Sequence, residues 1–347
     1  MHFKDLKYLM AYVAPLAAFL GIQWGGWWSL GAIYIGFITI PILEFLLPQS
    51  LSNFSEEEET ERKHIAYFDY LLYLHIPIIF TLLWFFFTRL EAGGLATYEL
   101  VCMTLNVGMI LGSFGINVAH ELGHRSKRHE QAFAKLLLTP ALYTHFNIEH
   151  NRGHHKHVAT PADPSSARKG ETIYAFWIRS VFNTYFNAWK LEATRLQKIN
   201  KPILSLANEM IWFQGYHIIY LVAVGLLFSW SLVPYAIAAA VFGFLLLESV
   251  NYIEHYGLRR KKLDSGRYER VSPKHSWSSN HELGRIYLYE LTRHADHHFK
   301  ADRQYQMLRH MDESPQLPYG YPTSMLISLL PPLWFKIMDR RVAQHLS

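Results

Sequence analysis

Nine of the 20 histidines gather in four tight groups. They are His120 and His124 in HELGH, His150, His154 and His155 in EHNRGHH, His255 in NYIEHYG, and His294, His297 and His298 in HADHH. One zinc or iron ion takes roughly four to six ligands, so nine imidazoles call for two ions. Residues three or four apart share a helix face, and each group is therefore expected to aim at a common point. Each group also sets an acid beside a histidine: Glu121, Glu149, Glu254 and Asp296. A metal-bound imidazole gives its second N–H to a carboxylate or carbonyl, which makes these acids the expected orienting partners. Histidines that stand alone, such as His2, His64, His217 and His345, are read as ordinary surface or core residues.

HELGH also matches the HExxH pattern of zinc peptidases, in which the glutamate is the general base. That reading leaves seven clustered histidines without a purpose, and the chain lacks the Asn-Pro-Asp-Gly or Leu-Asp-Gly segment of intramembrane metalloproteases. Imidazole-rich sites favour iron, copper, nickel or zinc, and open positions on redox-active iron activate O₂.

The elements that carry these groups are apolar. Half the residues are hydrophobic, yet mean hydropathy is close to zero, so the apolar residues must be concentrated. Nearly charge-free runs at about 8–28, 29–47, 71–88, 97–119, 211–229 and 233–250 each approach the roughly 20 residues needed to cross a bilayer. The expected fold is an all-α integral membrane protein, a single domain of six transmembrane helices with a cytosolic helical cap at about 120–207 and 251–347. Glu44, His75, Asn106, Asn117, His217 and Glu248 are costly in lipid and should face the bundle interior. The first run is too long for a secretion signal and no small-residue cleavage site follows, so a retained helix is expected.

The connections near 29, 89–96 and 230–232 contain only Arg89, whereas the other segments hold the remaining Lys and Arg, which places the termini and all nine grouped histidines in the cytosol. The net charge of +5 follows from this bias, and no nucleic-acid module is apparent. A single cysteine, Cys102, leaves no thiolate iron–sulfur or rubredoxin-type centre, so electrons must come from another protein. Beside the ions lies the hydrocarbon layer, where lipid-like and hydrocarbon substrates concentrate. The chemistry is therefore that of a membrane-bound, di-iron oxygenase, hydroxylase or desaturase.

The fourth and sixth runs lead straight into HELGH and NYIEHYG, so those helices should continue out of the membrane carrying His120 and His255. AFAKLLLTPALYTHF, broken by Pro140, should be interfacial or re-entrant. HVATPADPSSARKGE is read as a loop, and 172–200 as an amphipathic helix that lies on the headgroups or caps the bundle. SMLISLLPPLWF is too short for a seventh span. Gly108, Gly112, Gly115 and Ala119 form a small-residue stripe leading to His120, expected to wall a substrate tunnel, with close helix packing as the alternative.

HELGH, HNRGHH and HADHH resemble the three-box pattern of integral-membrane desaturases and hydroxylases. NYIEHYGL, EHNRGHHKHVATPADPSSAR and HADHHFKADRQYQ resemble the membrane alkane 1-monooxygenases, over about residues 100–335. The first three spans are similar only in hydropathy and layout. The resemblance implies terminal hydroxylation of medium-chain n-alkanes to 1-alkanols in the bacterial cytoplasmic (inner) membrane. It implies O₂ and two electrons from rubredoxin, itself reduced by an NAD(P)H-dependent reductase, and two non-haem irons without haem or flavin. The implied ligands are His120, His124, His150, His154, His155, His255, His294, His297 and His298, with their division between the ions left open. Arg259, Arg260, Lys261 and Lys262 would dock an acidic rubredoxin, or else bind anionic headgroups. Related readings are a hydroxylase of aromatic methyl groups and, further off, a fatty-acid desaturase.

Overall fold

The computed structural model describes residues 3–346, all helix, turn and loop, with isolated bridges but no strand among the described residues. Six helices are long and apolar enough to span a membrane: Phe3–Trp24, Gly26–Leu46, Ala66–Glu91, Thr97–Gly123, Glu209–Leu227 and Trp230–His255. The chain is a multi-pass membrane protein. The first turn falls at Gly25 and Gly26, both at positive φ (67° and 58°), a few residues before the expected break near 29. Only glycine adopts that conformation freely, so the paired glycines set the position of the turn.

The fold divides into two compact units that interleave along the chain. The first comprises Met1–Thr39, Ala66–Asn147 and Trp189–Leu247, and within it the fourth span is the most buried. Asn106 on that span is fully buried; its side chain donates to Ala18 O at 3.0 Å and accepts from Ala32 N at 2.8 Å. An amide that would be costly in lipid thereby binds the first helical hairpin to the fourth span. His75 is buried between the rings of Tyr12 and Phe114.

The stripe on the fourth span is where the sixth span packs. A Cβ at Gly108 would lie 2.6 Å from Ala239 O, and one at Gly112 would lie 2.7 Å from Gly243 O. The expected tunnel wall is corrected here: backbone of the sixth span fills the space that these two glycines leave. At Gly115 the nearest atom to a Cβ would be Leu137 O at 3.6 Å, which is ordinary contact.

The second unit comprises Ile40–Ile65, Ile148–Ala188 and Glu248–Ser347. Ser55 opens its helix Glu56–Arg62 with a capping box, accepting from Glu58 N while Glu58 accepts from Ser55 N. Glu248 is buried and accepts from Ser180 Oγ. The apolar tail forms two helices, Tyr321–Ser328 and Pro331–Leu346. Pro331 begins the second of them, where its missing N–H costs nothing.

Candidate metal centre

Seven of the nine grouped histidines lie in the second unit. His150–His154 forms a π turn, and His155 N–H bonds to His150 O five residues back. Residues five apart on a regular α-helix would point about 140° apart around the axis. The wider π turn instead brings His150 Nε2 and His155 Nε2 to 2.9 Å, and His297 Nε2 stands 3.1 Å from His155 Nε2.

His154 faces a different set. Its Nε2 is 3.2 Å from His298 Nε2, and His294 Nε2 is 3.1 Å from His255 Nε2. The ligand atoms of His154, His255, His294 and His298 all lie within 4.8 Å of one another, and all four side chains are buried. His294 and His298 are four apart on the α-helix His294–Phe299, whose i, i+4 geometry stacks them on one face. The EHNRGHH and HADHH boxes thus each contribute to two groups. Adjacent residues, His154 with His155 and His297 with His298, diverge between them, which corrects the expectation that each box aims at a single point.

The donor set fits two metal ions. Neighbouring nitrogens bonded at about 2.1 Å to one ion lie about 3 Å apart, and these four nitrogen pairs span 2.9 to 3.2 Å. Metal ligation needs neutral imidazole. Burial, then the neighbouring histidines, push the pKa of His298 well below its ordinary value.

His120 and His124 belong to the first unit. They close the fourth span, His120 buried and His124 half-buried, with ring centroids 5.0 Å apart. Glu121 between them accepts from Arg125 Nε at 2.9 Å and Arg125 Nη2 at 2.7 Å. Burial works against charge on Arg125, but Glu121, then Asp69 and Glu130, raise its pKa. A carboxylate clamped this way is poorly suited to serve as the general base that the peptidase pattern requires.

One carboxylate bonded to a second ring nitrogen is Asp163, which lies in a loop of the sequence. His154 Nδ1 and Asp163 Oδ2 are 2.9 Å apart, both buried. Ser166 Oγ donates to Asp163 Oδ2 at 2.6 Å and Ser165 N donates to Oδ1 at 3.1 Å. Burial would raise the Asp163 pKa, but His154 and Ser166 outweigh it and hold it low. Burial likewise opposes charge on His154, and Asp163 more than offsets it. The loop places Asp163 through successive tight turns, His157 to Thr160 and Thr160 to Asp163. Its signal in the sequence is an acid among turn formers, TPADPSS, nine residues after His154.

The other acids have different neighbours. Glu149 is buried and accepts from Asn187 Nδ2 at 3.0 Å; burial, then Asp163, raise its pKa to about 8. Asp296 accepts from Arg309 N and Nη2 at 2.9 and 3.1 Å, with Arg303 Nε 3.2 Å away. Both are corrected as ring-orienting partners: Glu149 faces an amide and Asp296 faces two guanidinium groups, and neither is hydrogen-bonded to a histidine ring among the described residues. Glu254 accepts from Tyr321 O–H at 2.7 Å, and its other oxygen lies 3.1 Å from His294 Nε2, the nitrogen that faces His255. It therefore stands on the metal side of the ring rather than behind it.

In the basic run, Arg259, Lys261 and Lys262 are exposed. Arg260 is half-buried and ties the segment together: Nε donates to Glu269 O at 2.7 Å and Nη1 to Lys156 O at 3.0 Å. Lys261 N donates to Glu269 Oε1, and Leu263 N donates to Arg267 O across a turn with Gly266 at φ 75°.

A family model described as fatty acid desaturase matches residues 95–326, a stretch that contains all nine grouped histidines. Alkane 1-monooxygenase 2 of Pseudomonas aeruginosa is 40% identical over 95% of this chain and 91% of its own length. Alkane 1-monooxygenase of Acinetobacter baylyi is 37% identical over 91% of this chain and 78% of its own. The xylene/toluene monooxygenase hydroxylase component of Pseudomonas putida is 27% identical over 96% and 88%. The full-length likeness is thus stronger to the first two, and the chain belongs to the fatty acid desaturase family and, within it, to the alkane 1-monooxygenases.

Proposed function

We propose that the protein hydroxylates the terminal carbon of medium-chain n-alkanes at two non-haem irons held by nine histidines. R–H, O₂, two electrons and two protons give R–OH and H₂O. The observation that carries this reading is the convergence of seven histidines of one unit into two groups with nitrogens about 3 Å apart. His120 and His124 of the first unit bring the proposed ligand set to nine. The irons, when bound, supply the activation of O₂ that an unactivated C–H bond demands.

The chain's own groups orient and balance that centre. Asp163 accepts the Nδ1 proton of His154, which fixes the tautomer, leaves Nε2 as the donor and raises its basicity. Nine neutral imidazoles leave the charge of the ions unbalanced. Glu254, against His294, and Asp163 offset part of it. The terminal C–H is stronger than its neighbours, so reaction at the chain end must be imposed by how the alkane is held.

Electrons come from rubredoxin, which docks on Arg259, Lys261 and Lys262 at the cytosolic face; complementary charge speeds such encounters. The location is the bacterial cytoplasmic membrane, with the histidines on the side richer in Lys and Arg. The test measures iron content of the purified protein together with products formed from octane, longer alkanes and p-xylene, using rubredoxin and its reductase. Two irons and 1-octanol are expected. A zinc-loaded protein that hydroxylates none of these would overturn the reading, and a preference for p-xylene would move it to aromatic methyl groups.

A further inference from the structure

A groove of about 770 Å³ lies in the first unit between the third span, the helix Arg128–Leu138 and the fifth span. Its lining is mixed. Ser126, Arg128, Gln131 and Lys135 supply polar groups, and Phe80, Leu136 and Ile219 supply apolar ones. Ile219 lies ten residues into the fifth span, about 15 Å from its start at a rise of 1.5 Å per residue. The groove thus runs from the membrane surface into the hydrocarbon layer.

The nearby cations are not equivalent. Lys135 is paired with Glu209 at 2.7 Å and Lys127 with Asp69 at 3.4 Å. Arg128 is exposed and makes no hydrogen bond or ion pair among the described residues. A neutral hydrocarbon would leave Arg128 without a counter-charge, whereas a phospholipid supplies one, its phosphate pairing with the guanidinium.

We propose that this groove is a site for one anionic phospholipid, its phosphate on Arg128 and one acyl chain along Leu136 and Ile219. Such a site would anchor the helix Arg128–Leu138 at the bilayer surface and make retention of the lipid depend on headgroup charge.

The experiment is native mass spectrometry of the whole protein released from nanodiscs, comparing phosphatidylglycerol with phosphatidylcholine of the same chains. Wild type should retain phosphatidylglycerol preferentially. Arg128→Glu should reduce that preference about fivefold or more, whereas the same reversal at exposed Lys300 should leave it unchanged. Ala223→Trp, which fills the groove, should reduce retention of both lipids while Arg128 stays in place. Glycerol phosphate should not compete, because it has no chain to bury. Equal retention of the two lipids, or a preference unaltered in Arg128→Glu, would overturn the proposal, as would displacement by dodecane that is indifferent to Arg128. None of these readouts requires turnover.

Discussion

Asp163 Oδ2 lies 2.9 Å from Nδ1 of His154, and both side chains are buried. Asp163 comes from the loop after the second histidine box, not from beside a histidine, and two serines hold it in place. Asp163→Asn should lower iron affinity about 10–100-fold, the usual cost of losing the partner behind a metal-bound ring. Chelator titration with iron analysis measures this; retention equal to wild type would remove Asp163 from its orienting role.

The two histidine groups can be separated by single substitutions. His154→Ala and His298→Ala should each deplete one iron, and His155→Ala and His297→Ala the other, although His154 and His155 are adjacent, as are His297 and His298. Metal analysis combined with iron spectroscopy distinguishes the pairs. If His154→Ala and His155→Ala gave the same spectroscopic residue, the partition would fail. Chelation of the wild type should also lower its unfolding temperature, because ions that bind only the folded state stabilise it.

Asp296 is wholly buried between Arg303 and Arg309. Its replacement by Ala removes the carboxylate they share, but Arg303 keeps Glu59 and Arg309 is partly exposed, so the cost is about 1–3 kcal/mol. Denaturant unfolding should report a loss approaching that size. A stability within about 0.5 kcal/mol of wild type, as is usual for surface changes, would mean that the pairing is dispensable.

Gly112→Val pushes a side chain into Gly243 O and Leu246. Overpacking of this kind typically costs about 1–3 kcal/mol, so thermal unfolding should fall while the chain-length profile of the products stays as in wild type. Gly115→Ala meets only ordinary contacts and removes a helix-interior glycine, so it should be neutral or stabilising. A product shift toward shorter alkanes in folded Gly112→Val would restore this face as a tunnel wall.

Reversing Arg259, Lys261 and Lys262 to Glu should slow reduction by rubredoxin without lowering the unfolding temperature. Added salt should mimic the defect and a small chemical reductant bypass it. Arg260→Glu differs, because that side chain holds Glu269 O and Lys156 O, and it should destabilise the segment as well. Stopped-flow reduction that is unaltered in the triple variant would assign the run to headgroup binding.

The sequence by itself determined the membrane class, the six spans and the nine histidines as a set. Hydropathy concentrates in runs long enough to cross a bilayer, and two of those runs end in histidine motifs, so helix continuity alone delivers His120 and His255. Only the tertiary structure decided how the histidines of the second unit divide. The π turn at His150–His154 changes the angular step between residues, and nothing in the residue types announces it. It also decided that Asp163, rather than Glu149 or Asp296, stands behind a ring, because the turns of a loop and the reach of Arg303 and Arg309 are not functions of spacing. The glycines of the fourth span are small for the same kind of reason. Whether a small residue leaves a void or admits another backbone depends on the helix packed against it, and here that is the sixth span.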